Sequence, residues 1–206
     1  MKRVMSTPWL FNRDDVEPVM KNRARIILGE GSSANVYLAT FKGYQVAVKE
    51  VKQSIAGNPK HPEIFQSEVE LHFRLHQHPG ICKLVGAWST FDRKENIMPS
   101  IVMEYLPISF DDVISHPSLH DVTVAKMLDI LLSLASVVSF LHEQQLGHND
   151  LKPDNVMMAA DMTPKVIDFG SMKARRIASM SLSRMSKTDV RGTVGFMVCT
   201  IYIFAS

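Results

Sequence analysis

The sequence predicts an α+β fold in two parts, a five-stranded sheet with one helix followed by a mainly helical part. Strand-like runs are concentrated before about residue 104 and are interrupted by one helical segment. A long apolar helical segment then lies in the second half of the chain. The 206 residues are 46% hydrophobic, so the chain can bury a core as one domain or one two-lobed unit.

The first strands are predicted from β-branched runs bounded by turn residues. Residues 1–24 contain two prolines and no hydrophobic period, and we expect an N-terminal extension there. Three strands follow in the prediction, over residues 25–28, 35–39 and 44–51.

A helix and two more strands complete the predicted first part, residues 25–104. The helix covers residues 63–76, and the strands cover residues 81–88 and 100–104. Three- and four-residue spacings place four side chains on one helical face: Ile64, Glu68, Leu71 and Leu75. Because a carboxylate on an apolar face needs a partner, we expect Glu68 to be paired.

The predicted second part, residues 105–206, contains a long helix over residues 123–144 that is apolar on nearly every side. Such a helix is expected to have neighbours all round it. Its most apolar stretch, residues 130–141, includes three serines, whereas a membrane span needs roughly 20 apolar residues. We therefore predict a buried helix of a soluble domain and no membrane partner.

Composition and charge exclude several classes of protein. Lys and Arg number 23 against 21 Asp and Glu, a net charge of +2, which is too small to indicate nucleic-acid or membrane-surface binding as the main task. Cys82 and Cys199 form neither a disulfide framework nor a zinc motif. With no apolar signal at the start of the chain, we expect an intracellular, cytoplasmic protein.

Two polar motifs in the second part combine carboxylates with a lysine and an amide. They are His148-Asn149-Asp150-Leu151-Lys152-Pro153-Asp154-Asn155 and, after a strand-like run, Asp168-Phe169-Gly170. Phosphate transfer to a hydroxyl needs a carboxylate near that hydroxyl, a cation beside the phosphate, and oxygen ligands for a metal. Together the motifs supply these groups, although Asp-Phe-Gly alone would be only a turn.

Two features of the first part add groups suited to phosphate. In Gly29-x-Gly31-x-x-Ala34, glycines let backbone N–H groups approach phosphate oxygens closely. Lys49 ends the motif Val46-Ala47-Val48-Lys49, which lies within the third predicted strand. Taken alone, the two glycines are explained equally well by a plain hairpin, and Lys49 is explained equally well as a solvent-exposed lysine on a strand.

In this order the motifs resemble those of eukaryotic protein kinases of the serine/threonine type, in the tyrosine-kinase-like branch. The resemblance covers about residues 25–197. It implies a two-lobed kinase fold, ATP and Mg²⁺ as cofactors, and a protein substrate with a Ser or Thr hydroxyl. The lysine in Asp-Leu-Lys-Pro-Asp-Asn favours serine/threonine over tyrosine kinases.

The resemblance also implies a role for each matched polar residue of the second part. Asp150 would act as the base or orient the hydroxyl, and Lys152 would steady the γ-phosphate. Asn155 and Asp168 would hold magnesium.

Lys49 is implied to contact the α- and β-phosphates and to pair with a carboxylate of the predicted helix. Glu68 and Glu70 both lie in that helix, but two residues apart they face different ways. Glu68 shares the apolar face, so we predict that it pairs with Lys49, and that Glu70 is an ordinary surface residue.

Residues 101–107 resemble the hinge that holds adenine by backbone hydrogen bonds. An edge strand ending at a proline, with ordinary core side chains nearby, is an equally good interpretation in isolation. The cofactor-binding residues that the resemblance implies, besides Lys49 and Glu68, are Gly29, Gly31, Val36, Ala47, Met103 at the gatekeeper position, Glu104, Tyr105 and Met157.

The chain departs from the kinase pattern at three places. Ala34 replaces the third glycine of the loop, and Asn149 replaces an arginine that commonly anchors a phosphorylated activation loop. This argues against control by a phosphate in the region of Ser179, Ser181, Ser183, Ser186 and Thr188. The resemblance stops after residue 197, so we expect an incomplete, marginally stable C-terminal lobe.

The leading hypothesis is therefore an ATP- and magnesium-dependent protein serine/threonine kinase domain, truncated after the activation segment. A catalytically weak or inactive ATP-binding interaction module is the alternative. A small-molecule kinase of related fold is a third hypothesis, and residues 192–196 argue against it because they resemble a peptide-docking segment. The sequence does not indicate an oligomeric state.

Overall fold

The computed structural model describes residues 12–56, 61–91, 97–170 and 172–174. The chain divides into two units. The first is formed by Met1–Gln77 and Cys82–Tyr105, and the second by His78–Ile81 and Leu106–Ser206.

The first unit is built on an antiparallel sheet with the strand order β1-β5-β6-β8-β7, to which β4 adds by pairing with β5. A separate hairpin is formed by β2 and β3. The strands are β1 (Val16–Pro18), β2 (Met20–Lys21), β3 (Ala24–Arg25), β4 (Ile27–Glu30), β5 (Ala34–Phe41), β6 (Tyr44–Val51), β7 (Leu84–Phe91) and β8 (Ile97–Glu104). The helices are α1 (Gln53–Ala56) and α2 (His61–Leu75), and a 3-10 helix covers Arg13–Asp15.

Part of the predicted extension, residues 1–24, forms strand β1 of the main sheet. In the described chain the sheet has six strands instead of five, because Val16–Pro18 pairs with β5 and places Val16 opposite Phe41. Val16 is buried in the core with Trp88 and Val102. Three residues ending in a proline carry no readable alternation, and proline is tolerated at a sheet edge. The formation of this strand therefore depends on its pairing with β5, which is distant in sequence.

The predicted helix over residues 63–76 is present as α2, but its buried face differs from the prediction. Val69, His72 and Leu75 are buried, whereas Ile64 is 51% exposed. Compared with the predicted face, the observed buried face is rotated around the helix toward His72. Because His72 is polar, a search for hydrophobic periodicity does not include it. The short helix α1 is an addition to the single predicted helix.

The described residues of the second unit form two α-helices and several short strands. Helix α3 (Phe110–Ser115) begins at Ser109, whose hydroxyl accepts a hydrogen bond from the Asp112 amide, and α4 (Val124–Glu143) begins at Thr123, which accepts one from Lys126. The strands are β9 (Ile108–Ser109), β10 (Leu146–Gly147), β11 (Val156–Met158), β12 (Pro164–Val166) and β13 (Lys173–Ala174), with 3-10 helices at Pro117–His120 and Pro153–Asn155. Strand β11 pairs with β12 and β9, and β10 pairs with β13.

In the part of the chain that the structure describes, helix α4 is covered on only part of its surface, so the prediction of neighbours all round it is not met there. Ile130, Val137 and Leu141 are buried, whereas Val124 is 80% exposed and Leu132 is 69% exposed. Among the described residues α4 is the one helix long and apolar enough to cross a membrane, but core helices of soluble proteins meet the same criterion. An apolar composition thus does not decide which side of a helix is covered.

Gly80 lies where the backbone passes close to α4. Its carbonyl accepts a hydrogen bond of 2.8 Å from the Val166 amide, and a Cβ at this position would overlap the Cγ2 of Val137. We expect Gly80→Ala to lower the free energy of unfolding by about 1–3 kcal/mol, as overpacking does in well-packed cores. Urea unfolding of the purified protein measures this loss.

Gly29→Ala is the matched control, because a Cβ there meets nothing within 4 Å. Since Val137→Ala removes the clashing methyl, the double variant Gly80→Ala/Val137→Ala should be no less stable than Val137→Ala alone. Additive losses in the double variant would show that the overlap with Val137 is not the cause.

Candidate active site

Asp150 and Asn155 are joined directly within the second unit. The Asn155 Nδ2 atom donates to the Asp150 backbone oxygen at 2.8 Å and to its carboxylate Oδ2 at 3.0 Å. The Lys152 Nζ lies 3.7 Å from the same Oδ2. The loop between β10 and β11 thus brings the predicted base, the predicted phosphate-contacting lysine and one predicted metal ligand together.

Asp168 follows β12 and has an unusual backbone conformation, with φ of 61°. Left-handed φ is uncommon for residues other than glycine, and such strain is concentrated at functional sites. The Asp168 Oδ1 accepts a hydrogen bond of 3.4 Å from the Gly170 amide. The preceding residue, Ile167, donates its amide to the Asn155 backbone oxygen at 2.9 Å. The segment that carries Asp168 is therefore tied to the loop that carries Asp150.

His148 makes a second link between these segments. Its Nε2 lies 3.2 Å from the Ile167 carbonyl oxygen, and because a carbonyl only accepts, Nε2 must carry the hydrogen. Burial lowers the pKa of His148, and its ring meets Phe169 edge-on at a centroid distance of 5.9 Å. No role of its own was predicted for His148, although it begins the motif.

Asn149, the residue in place of the expected arginine, also has a left-handed backbone, with φ of 63°. Its Nδ2 donates to the Gly147 carbonyl at 3.0 Å. Asparagine is among the residues that tolerate this conformation best, because its short side chain can hydrogen-bond to the nearby backbone. Asn149 therefore stabilises the turn that leads into Asp150, a role that its identity could have indicated.

In the first unit, Lys49 pairs with Glu68 as predicted. Its Nζ lies 2.7 Å from the Glu68 Oε1, and the two side chains are 20% and 14% exposed. Glu70 instead accepts a hydrogen bond from Gln66 on the exposed side of α2. An ion pair this shielded from water is held more firmly than a surface pair, so Lys49 has a defined position.

The sheet register places Lys49 on the same face as three residues predicted to surround the adenine. Side chains directly opposite each other on neighbouring strands share a face. Val36 is opposite Lys49, and Ala47 is opposite Met103. Since Ala47 and Lys49 are two residues apart on β6, all four side chains lie on one face. The fifth predicted side chain, Met157, is on β11 of the second unit.

The hinge residues Glu104 and Tyr105 end the first unit. The Glu104 amide donates to the Lys83 carbonyl at 3.0 Å, and the Glu104 carbonyl accepts a hydrogen bond from the Cys82 Sγ at 3.9 Å. In the glycine loop, Gly29 has free space around it, whereas a Cβ on Gly31 would lie 3.3 Å from the Ala34 oxygen. Of these two glycines, Gly31 alone is at a position where a side chain would make a tight contact, and that contact is only slightly closer than usual.

The donor set in the second unit fits a magnesium ion. Asn155 uses its amide nitrogen on Asp150, which leaves Oδ1 as its donor for a metal, and Asp168 supplies a carboxylate. Within the described ranges no group of three His, Cys, Asp or Glu side chains could hold a metal by itself. Mg²⁺ is commonly held by one or two protein carboxylates together with substrate phosphates, so this small oxygen set suits it.

Some predicted features lie outside the described residues. They are Cys199, the peptide-docking segment at residues 192–196, and the hydroxyl residues Ser179, Ser181, Ser183, Ser186 and Thr188.

Comparison with known proteins gives consistent matches. The family model of the protein kinase domain matches residues 23–200. A probable receptor-like protein kinase of Arabidopsis thaliana is 32% identical over 164 residues, covering 78% of this chain and 45% of that protein. The rust resistance kinase of Triticum aestivum is 30% identical over 204 residues, covering 96% of this chain and 30% of that protein.

A bacterial relative extends the range of these matches. A probable serine/threonine-protein kinase of Streptomyces coelicolor is 30% identical over 171 residues, covering 82% of this chain and 24% of that protein. The chain thus spans less than half the length of each of these three relatives. The family model covers most of the chain and includes every residue of the candidate site, and the chain therefore belongs to the protein kinase family.

Proposed function

We propose that this chain carries the catalytic domain of a protein serine/threonine kinase, which transfers the γ-phosphate of ATP to a hydroxyl group of a protein. The observation that carries the proposal is the Asp150 carboxylate, held by the Asn155 amide with the Lys152 ammonium 3.7 Å away. Relatives named as serine/threonine-protein kinases support a protein Ser or Thr hydroxyl as the acceptor.

Each residue of the site has a part in this reaction. Asp150 accepts a hydrogen bond from the substrate hydroxyl and aims its oxygen at the phosphorus, and Lys152 offsets negative charge that develops on the γ-phosphate. Lys49, fixed by Glu68, binds the α- and β-phosphates.

Asn155 and Asp168 would hold Mg²⁺ in this proposal. A bound magnesium ion supplies positive charge beside the β- and γ-phosphates. The Asn155 hydrogen bonds to Asp150 would also couple the position of the metal ligand to the position of the base.

Metal dependence and the identity of the labelled residue test the proposal. With Mg²⁺ and ATP labelled at the γ-phosphate, we expect label on Ser or Thr of the protein itself or of added casein. EDTA in excess should reduce transfer to background, because Asp168 and Asn155 then have no metal to hold. Label found on Tyr, or transfer that persists in EDTA, would contradict the proposal.

An ATP-binding interaction module without transfer is the second candidate. The observation that favours it is the exposed apolar side of α4, including Val124 and Leu132, since exposed apolar surface marks interaction sites. This candidate predicts that Mg-ATP raises the melting temperature while no label is transferred at any protein concentration.

We propose an intracellular location for the domain. The sequence contains only two cysteines, Cys82 and Cys199, which is not the dense disulfide framework typical of small secreted domains.

A further inference from the structure

A buried histidine lies one helical turn from Glu68. His72 follows Glu68 by four residues in α2, so both side chains leave the same side of the helix. His72 is only 1% exposed. A polar ring buried to this extent destabilises the fold unless it is hydrogen-bonded.

The His72 ring has a short hydrogen bond to the backbone outside the helix. Its Nε2 lies 2.6 Å from the Cys82 carbonyl oxygen, and because that oxygen only accepts, Nε2 is the donor. Burial, opposed in part by this bond, lowers the pKa of His72 to about 4. The ring is therefore neutral at neutral pH, with its hydrogen on Nε2.

The backbone that accepts this bond is itself joined to the strand beside Lys49. The Lys83 amide donates to the Glu104 Oε1 at 2.7 Å, and the Glu104 amide donates to the Lys83 carbonyl at 3.0 Å. Glu104 ends β8, and Ile101 of β8 is opposite Lys49. The contacts therefore form a closed path within the first unit, from Lys49 through α2 to β8 and back.

We propose that His72 is a positioning residue that holds α2 in the rotation at which Glu68 reaches Lys49. A helix packed by apolar side chains alone can slip or rotate at low cost, whereas a hydrogen bond to a fixed carbonyl specifies one rotation. Since consecutive residues differ by about 100° around a helix, a small rotation of α2 would carry the Glu68 carboxylate away from the ammonium.

Three substitutions separate this role from simple filling of the core. His72→Leu keeps an apolar side chain of similar size and removes the donor, whereas His72→Gln keeps an amide N–H that can reach the carbonyl. Glu68→Gln removes the charge on which His72 is proposed to act. If His72→Leu does not fold, His72→Met replaces it, because a flexible side chain adapts to irregular sites.

The first readout needs neither nucleotide nor activity. In the absence of nucleotide, we expect amide hydrogen exchange in α2 to be at least about fivefold faster in His72→Leu than in wild type. A fivefold change corresponds to the free energy of about one hydrogen bond. Exchange in β5 and β6 should not change, and His72→Gln should stay within about twofold of wild type. Equal acceleration in α2 and in the sheet would show a general loss of packing and overturn the proposal.

The second readout, the dissociation constant for Mg-ATP, rests on the proposed function. His72→Leu should weaken binding about fivefold in the wild-type background and less than about twofold when Glu68 is already Gln. Equal losses in both backgrounds would overturn the proposal, because His72 would not act through Glu68. If wild type binds no Mg-ATP, the proposed function fails, while the exchange measurement still decides the role of His72.

Discussion

Asp150→Asn is expected to lower the rate of phosphate transfer by about 10²–10⁴-fold, the usual contribution of a positioned general base. The variant keeps the shape of the side chain and an oxygen that can accept the Asn155 hydrogen bond of 3.0 Å. It loses the negative charge that attracts the substrate hydroxyl proton. Initial rates with labelled ATP and casein, at saturating Mg²⁺, measure the effect.

Asp154→Asn is the matched control for this variant. Asp154 lies in the same loop and is exposed, so we expect its rate to stay within about twofold of wild type, as surface substitutions usually do. The thermal shift with Mg-ATP should be similar for both variants and for wild type, because neither removes a proposed metal ligand or phosphate contact. Transfer by Asp150→Asn at the wild-type rate would refute the assignment of Asp150.

The free energy of unfolding is expected to fall by about 3 kcal/mol between pH 6.5 and pH 4 because of His72 alone. In the unfolded chain this imidazole has an ordinary pKa near 6.5, whereas burial lowers the pKa of the folded protein to about 4. Between these values the unfolded state binds a proton that the folded state does not, so stability falls as the pH falls. Each pKa unit is equivalent to about 1.4 kcal/mol. The loss within this pH interval is somewhat smaller than the product over the whole shift, because the titration is incomplete at both ends of the interval.

Urea unfolding at half-unit steps of pH, for wild type and His72→Gln, measures this contribution. His148, whose pKa burial also lowers, acts in the same direction and remains in both proteins. Comparison of the two curves therefore isolates His72. The curves should be parallel above pH 7, and wild type should lose more stability below pH 6.5. Parallel curves over the whole range would mean that the His72 ring gains its proton as readily when folded as when unfolded.

Much of the fold follows from local patterns that act over short distances. Strand β6 over Tyr44–Val51 and helix α4 over Val124–Glu143 match the predicted elements closely, because alternation and helical periodicity are readable within one segment. The pairing of Lys49 with Glu68 was also predictable, since only one of two nearby carboxylates shares the helical face that points inward.

The parts of the fold that were not predicted depend on contacts distant in sequence. Strand β1 is stabilised because Val16 is buried in the same core cluster as Trp88 and Val102. No local sequence pattern predicts this contact. The buried face of α2 includes a polar His72 because the Cys82 carbonyl satisfies it. Val124 of helix α4 is exposed. The apolar sequence of this helix does not indicate which of its sides other elements cover.

The sequence by itself determined the chemical groups of this kinase domain and their order along the chain, because spacing within a short loop or strand limits where a side chain can go. The tertiary structure decided the orientation of those groups: the left-handed backbone at Asn149 and Asp168, the Asn155 amide on Asp150, and the rotation of α2. These depend on backbone partners far along the chain, and hydrogen bonds and burial become defined only when those partners are brought together.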